Sequence, residues 1–308
     1  MINKKIYVFP IIFFVIYFIK YNKNIKVCIC TIGKRENLYA REFVEYYKKL
    51  GINKIFIYDN NDKNDESFDM VLQDYIKKKF VEIIDIRGII APQKQAIEDC
   101  RKKNFKKFDW LMFYDFDEFL FLRNYSNVKD FLKQKKFDKC QTIHLNWLFH
   151  TDNNLIYYDN RPLAERFPEI DRRYVNQKFG GIEGIKSILR GNIDIEISDI
   201  HKLSSKFISC DGFGKIEYIE GITTNYSDHY YYYIDHYWSK STEEFVNKLN
   251  KGSVTYGYVL EHSLKRISIY FSICDITLEK INYIENKTNL NLSKYRLKLK
   301  TNFSGIKP

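Results

Sequence analysis

The sequence predicts an α/β fold: a doubly wound, mostly parallel but mixed sheet forming one large domain. Three observations carry this. Short apolar, β-branched runs alternate with amphipathic stretches over residues 26–115, with short loops between, the pattern of βαβ units. Polar residues gather where the runs end, at Thr31 to Glu36, Asp59 to Asp62 and Asp115 to Glu118. A 45% apolar content with 25 Tyr and 24 Phe but only 13 Gly and 5 Pro fills a large core and excludes collagen-like, linker-like and disordered chains.

Taken in order, Lys26–Thr31 reads as a buried strand. The helix Asn37–Leu50 has Leu38, Phe43, Val44, Tyr47 and Leu50 on one face and Gly51 as its stop. Lys54–Tyr58 is a second strand, Ser67–Lys79 a helix, Val81–Ile86 a third strand, Pro92–Phe105 a helix opened by proline, and Trp110–Tyr114 a fourth strand. Beyond Leu122 the pattern loosens. Val128–Lys135 reads as a short helix and Gln141–Phe149 as a strand. Residues 150–180 form a polar loop region. Strands are expected at Ile182–Leu189, Ile193–His201 and Tyr230–Tyr237. A helix follows at Thr242–Lys251, capped by Ser241 or Thr242 and stopped by Gly252, then a partly helical tail at Leu278–Lys287.

Before the globular pattern, Ile6 to Ile19 is an uncharged, mostly apolar run between lysines. As a helix it spans roughly 21 Å, short of the ~30 Å hydrocarbon core, though Tyr21 and snorkelling lysines extend it. No small-residue cleavage site follows, which favours a retained signal-anchor over 6–23 behind a short tail, 1–5. The catalytic-size remainder, 24–308, divides by pattern at about residues 122 and 260.

The six cysteines, at 28, 30, 100, 140, 210 and 274, form no CxxC pair and no zinc spacing. They read as buried thiols, with disulfides open if the domain is luminal. Five N-x-S/T sequons, at Asn124, Asn225, Asn286, Asn291 and Asn302, exceed the chance number for so much Asn and favour a secretory location. The net charge of +11 is spread along the chain, a solvated basic surface or a field for an anionic partner.

The chemistry centres on Asp115-Phe116-Asp117-Glu118. A buried strand, WLMFY, runs straight into these acids. Carboxylates at i and i+2 on such an end need compensation, and a divalent cation supplies it. Aspartate oxygens suit Mg2+ or Mn2+, which keep positions open for phosphate oxygens.

Here the residues resemble a family. The run Val27–Leu120 looks like the catalytic domain of family 92 glycosyltransferases and their GT-A-fold relatives. The likeness rests on ENLYAREFVEYYKKLGINKIFIYDNND, on QKQAIEDC from Gln93 and on FDWLMFYDFDEFL. ERF at 165–167, KSILR at 186–190, His201 and HYWSKSTEEF at 236–245 follow in the same order. It covers residues 26–252, and departs from the pattern at Gly33-Lys34-Arg35, where the family often opens Lys-Asn-Glu. The resemblance implies a GT-A-like, Rossmann-type fold and an Mn2+- or Mg2+-dependent, inverting hexosyltransferase. Its donor would be UDP-galactose or a similar UDP-sugar and its acceptor a glycan, in a single-pass type II Golgi membrane protein.

Joined to the residues, the resemblance implies roles. Thr31, Arg35 and Glu36 hold base or ribose, or Arg35 and Glu36 form a helix-start charge pair. Asp59 accepts from uracil or ribose, or closes an Asx turn. Gln93 faces the same crevice or solvent. Asp115 contacts ribose or metal, Asp117 is the principal metal ligand, and Glu118 orients its neighbours. His236 completes the metal site, with His201 as runner-up. Lys240 and Ser241 hold the diphosphate at a helix start. Glu165 is the first choice of acceptor base, with Asp152, Asp171 and Glu183 as alternatives. Trp147 and Phe149 stack on a sugar or fill the core.

Two other classes compete. A membrane-tethered glycan-binding pseudoenzyme predicts no metal-dependent loss of UDP-sugar. A haloacid-dehalogenase-like phosphatase needs its acid motif on the first strand, whereas here it follows the fourth. Nucleic-acid binding is not expected, since no basic helix or RNA-reading aromatic motif is present.

Overall fold

In the computed structural model, residues 24–171, 184–198, 201–219, 228–252 and 260–303 are described. The apolar run at 6–19, Glu183 and Asn225 lie outside them. Among the described residues no helix is long and apolar enough to cross a membrane.

The alternating half forms as its pattern requires. β1 (Val27–Gly33), β2 (Lys54–Asp59), β3 (Val81–Asp85) and β4 (Trp110–Phe113) are parallel, in the order β3-β2-β1-β4. β1 and β4 are buried along their whole lengths, as expected where helices cover both faces of a sheet. The connecting helices are α1 (Asn37–Lys49), α2 (Asp69–Lys77) and α3 (Gln93–Asn104). α1 buries Tyr39, Ala40, Phe43, Val44 and Tyr47. Leu38, expected on that face, is 59% exposed, and Tyr39 is buried in its place. Gly51 stops the helix with φ 94°, where a Cβ would meet the Asn127 side chain at 2.5 Å.

β5 (Glu118–Leu122) was not expected. It pairs antiparallel with β9 (Tyr232–His236), and the sheet continues β4-β7-β6-β9-β5 through β7 (Ile185–Arg190) and β6 (Thr142–Phe149). β8 (Ser209–Cys210) pairs with the start of β6. The expected strand at Ile193–His201 is absent from its described part, residues 193–198 and 201. There the Ile193 carbonyl accepts from Arg101 and the Ile197 N–H donates to Glu98, both on α3, which draws the segment off the sheet. Short helices α4 (Val128–Leu132) and α5 (Leu163–Arg166) precede α6 (Thr242–Asn250), α7 (Leu260–Ile273), α8 (Leu278–Thr288) and α9 (Ser293–Phe303). Phe245, Val246 and Leu249 of α6 share one apolar cluster with Ile267, Tyr270 and Ile281, so the C-terminal helices belong to the same packing as α6.

The thiol expectation is corrected at four positions. Cys30–Cys100 and Cys140–Cys210 are disulfides, while Cys28 and Cys274 are free and buried.

Candidate functional site

Topology makes the crevice. The chain lays β2 and β3 on one side of β1 and then crosses to place β4 on the other. Ligands in such sheets sit at the carboxyl ends of the strands where the order reverses, here between β1 and β4. The acid motif stands at that point. Phe116 is buried, stacking on Phe68 and packing on Phe43, each at 5.0 Å between ring centroids. Gly33 makes room, because a Cβ there would lie 2.6 Å from the Phe116 ring. With Phe116 pinned in the core, Asp115 and Asp117 on either side meet the polar crevice. The β5–β9 register then sets Glu118 opposite His236.

Three lysines from separate elements meet these acids. Lys186 of β7 donates to Asp115 Oδ2 at 2.7 Å and lies 3.3 Å from Glu118 Oε2. Lys240 and Lys248 donate to Asp117 Oδ2 at 3.0 and 3.1 Å. His236 Nε2 is 3.7 Å from Asp117 Oδ1 and 3.9 Å from Glu118 Oε1. Glu118 Oε1 and His236 Nδ1 are buried without partners. Phe149 stacks on the imidazole at 4.9 Å, and Trp147 lies between His236 and His201 at 4.7 and 5.2 Å. Gly184 lets Trp147 in, since a Cβ would sit 1.8 Å from the indole.

Burial raises the Asp117 carboxyl, but Lys240 and Lys248 outweigh it and hold it well below the usual range. Glu118 goes the other way: burial lifts it far above the ordinary value, with Lys186 too weak an opponent. Burial pushes the His236 imidazole well down despite Asp117, leaving it neutral, the ligating form. Burial, with Lys240 and Arg266 nearby, brings Lys248 down to about 8 against Asp117.

A supporting shell fixes Lys240. It takes φ 52°, unusual for a side-chain-bearing residue, and its ammonium sits 4.2 Å from the Tyr39 ring centroid. Ser241 caps α6 in a capping box with Glu244. Glu244 also accepts from Arg166 at 2.7 Å and from Tyr39 at 2.7 Å. Lys251, after α6, donates to Glu36 and to the Lys34 carbonyl, tying α6 to the β1–α1 loop.

The structure thus brings Asp115, Asp117, Glu118, His236 and Lys240 together. Ser241 caps α6 there, its hydroxyl donating to Glu244 Oε2 at 2.6 Å. His201 is one indole away and donates from Nδ1 to the Ile185 carbonyl at 3.1 Å. Thr31 is buried within β1, two residues before its end, with an unpartnered hydroxyl. Arg35 turns outward to Asp62 and Asp65. Asp59 accepts from the Asn61 N–H at 3.0 Å, an Asx turn, two strands from β4. Gln93 is buried at the start of α3. Glu165 faces solvent on α5, with Arg161 and Glu42 as its charged neighbours, so it does not join the cluster around Asp117. Arg166 is the buried partner in that block. Asp152 is committed to Lys280 and Tyr270, each at 2.6 Å, and serves packing. Asp171 is buried, its N–H on the Phe149 carbonyl. Lys186 and Lys248 were missed. Among the described residues no three His, Cys, Asp or Glu side chains are already placed to hold a metal ion.

Fold and crevice define a class: α/β proteins with an ionic pocket at a topological switch point. Comparison with known proteins narrows it. Residues 23–258 match the model of glycosyltransferase family 92, and the chain belongs to that family. A family 92 protein of Ricinus communis is 29% identical over 110 residues, 36% of this chain and 20% of that protein. One of Oryza sativa subsp. japonica is 25% identical over 119 residues, 37% of this chain and 20% of the relative. The matched stretch therefore spans about a fifth of the length of these curated relatives. Among solved structures, S. aureus TarS 1–349 in complex with UDP-GlcNAc aligns over 88% of this chain and 80% of its own, at 10% identity and TM-score 0.38.

Proposed function

We propose that this chain is a nucleotide-sugar-dependent transferase. It moves a hexose, galactose or a close relative, from a UDP-sugar to a glycan acceptor with inversion, using Mn2+ or Mg2+. The observation that carries the reading is the crevice itself, where two carboxylates, a neutral imidazole and three ammonium groups converge in a member of this family.

The donor chemistry fits a hard divalent ion. Glu118 Oε1 is buried without a partner, 3.9 Å from His236 Nε2, which in turn lies 3.7 Å from Asp117 Oδ1. Asp115, Asp117 and His236 would hold the ion and Glu118 would orient them. Bound there, the ion supplies positive charge to the diphosphate as it leaves. Lys186 and Lys240 add cationic charge on the same side, preorganised by burial. The unpartnered Thr31 hydroxyl, with Gln93 and the β2 end at Asp59, offers polar groups to the nucleoside.

The compartment is proposed as the secretory lumen, with residues 6–23 as anchor. Two disulfides need an oxidising environment, and the sequons at Asn124, Asn286 and Asn291 are exposed.

The test is UDP release by the full-length chain in detergent, with UDP-hexoses and Mn2+. Asp117→Ala and chelation should each lower release at least about a hundredfold. Release that survives both overturns the metal assignment, and absence of release from every UDP-hexose overturns the function.

A further inference from the structure

The Asp117 carboxylate carries more cation than it needs. Lys240 and Lys248 both donate to the single atom Oδ2, at 3.0 and 3.1 Å. Two ammonium groups so placed stand within about 6 Å of each other, and like charges at that range repel. Asp115 and Glu118 offer no relief, because Lys186 already serves both. Arg266 donates to the Lys248 carbonyl at 3.2 Å and adds a further positive charge behind it. One lysine neutralises the Asp117 carboxylate, so the second leaves the three groups with a net positive charge.

Lys248 is also built to stay where it is. Its ammonium donates to the Trp238 carbonyl at 3.2 Å and lies 5.0 Å from the Trp238 ring centroid. It projects from α6, whose start is fixed by the Ser241–Glu244 capping box and whose far end is tied by Lys251 to the β1–α1 loop. The ammonium therefore stands beside Asp117 on a rigid element. A surplus cation, desolvated and fixed in a crevice, is the arrangement that recognises a polyanion.

We infer that Lys248 is a binding residue for the donor's diphosphate. It pairs with Lys240 as a two-ammonium clamp that exchanges Asp117 for the diphosphate. The inference rests on the proposed UDP-sugar function and adds a residue that the family likeness did not point to. The clamp acts on phosphate charge, so it discriminates UDP from uridine. It also acts without a metal, since Asp117 competes with the diphosphate for the same two ammonium groups.

The experiment is calorimetric titration of the full-length chain in detergent with UDP and with uridine, in EDTA and then in Mn2+. Lys248→Met should weaken UDP binding at least about tenfold in both conditions while leaving uridine affinity unchanged. Lys248→Arg keeps the charge and should keep most of the preference for UDP. Asp117→Asn frees both ammonium groups and should strengthen UDP binding in EDTA, so that UDP raises its melting temperature more than it raises that of the wild type. This second variant decides the matter if Lys248→Met does not fold. An unchanged ratio of UDP to uridine affinity in Lys248→Met overturns the clamp, as does weaker metal-free UDP binding by Asp117→Asn. A wild-type chain that binds neither UDP nor uridine overturns the proposed function instead, which keeps the two failures distinct.

Discussion

At the scale of single residues, the crevice depends on a position with no side chain. Gly33 ends β1, where Phe116 and Phe68 fill the space a Cβ would take. Gly33→Ala forces buried rings apart at the turn that aims Asp115 and Asp117, and should cost about 1–3 kcal/mol, read as a lower urea midpoint. The same position is where the sequence departs from the family's usual opening, and the structure gives the departure a packing reason. Glu244 supplies a pH test. Burial raises its carboxyl, but hydrogen bonds from Arg166 and Ser241 outweigh burial and hold it below its ordinary 4.5. The folded form thus keeps its charge where the unfolded chain takes up a proton. The stabilisation is complete above about 4.5 and disappears as pH falls through the lower folded value. Glu244→Gln leaves Arg166 buried and uncompensated. It should cost about 3 kcal/mol near pH 7, and the gap to wild type should narrow as the pH falls below the ordinary carboxylate value of 4.5, measured by urea unfolding.

At the scale of elements, legibility followed burial. β1, β2 and β4 read correctly because strands covered on both faces are almost continuously apolar. β5 was hidden because its first residue, Glu118, is fully buried yet charged in sequence, so EFLFL reads as the tail of the acid motif. That strand matters most to the site, since its pairing with β9 is what sets Glu118 against His236. Residues 193–198 erred in the opposite direction. Their alternation of Ile with acids has strand period, but Arg101 and Glu98 of α3 capture the backbone. Lys248 was missed for a related reason. A lysine on an amphipathic helix reads as solvated, and its partner Asp117 is 131 residues away. The helix cap was legible as Ser241 or Thr242, and the structure settles on Ser241 in a capping box with Glu244. Ser241→Ala should cost about 1 kcal/mol and, by loosening the turn that holds Lys240, should weaken UDP binding more than uridine binding.

At the scale of the whole molecule, two disulfides bind the halves of the sheet to their neighbours. Cys30–Cys100 joins β1 to α3, and Cys140–Cys210 joins the approach to β6 with β8; both pairs are 70 residues apart in sequence. On the chain-entropy account each is worth about 4 kcal/mol. Reduction should therefore lower the melting temperature by at least about 10 °C, and a chain that melts identically with and without reductant would contradict the pairing. The sequence held the six cysteines but not their partners, because pairing is a property of which elements the fold stacks together. The two free cysteines, Cys28 and Cys274, are both buried. The central claim concerns what the switch-point crevice holds. A crystal structure of the full chain with UDP and Mn2+ tests it most directly. The account predicts the diphosphate between Asp117, His236, Lys240 and Lys248, with the ion on Asp115 and Asp117. UDP bound at another place, with those two carboxylates still on their lysines, would contradict it.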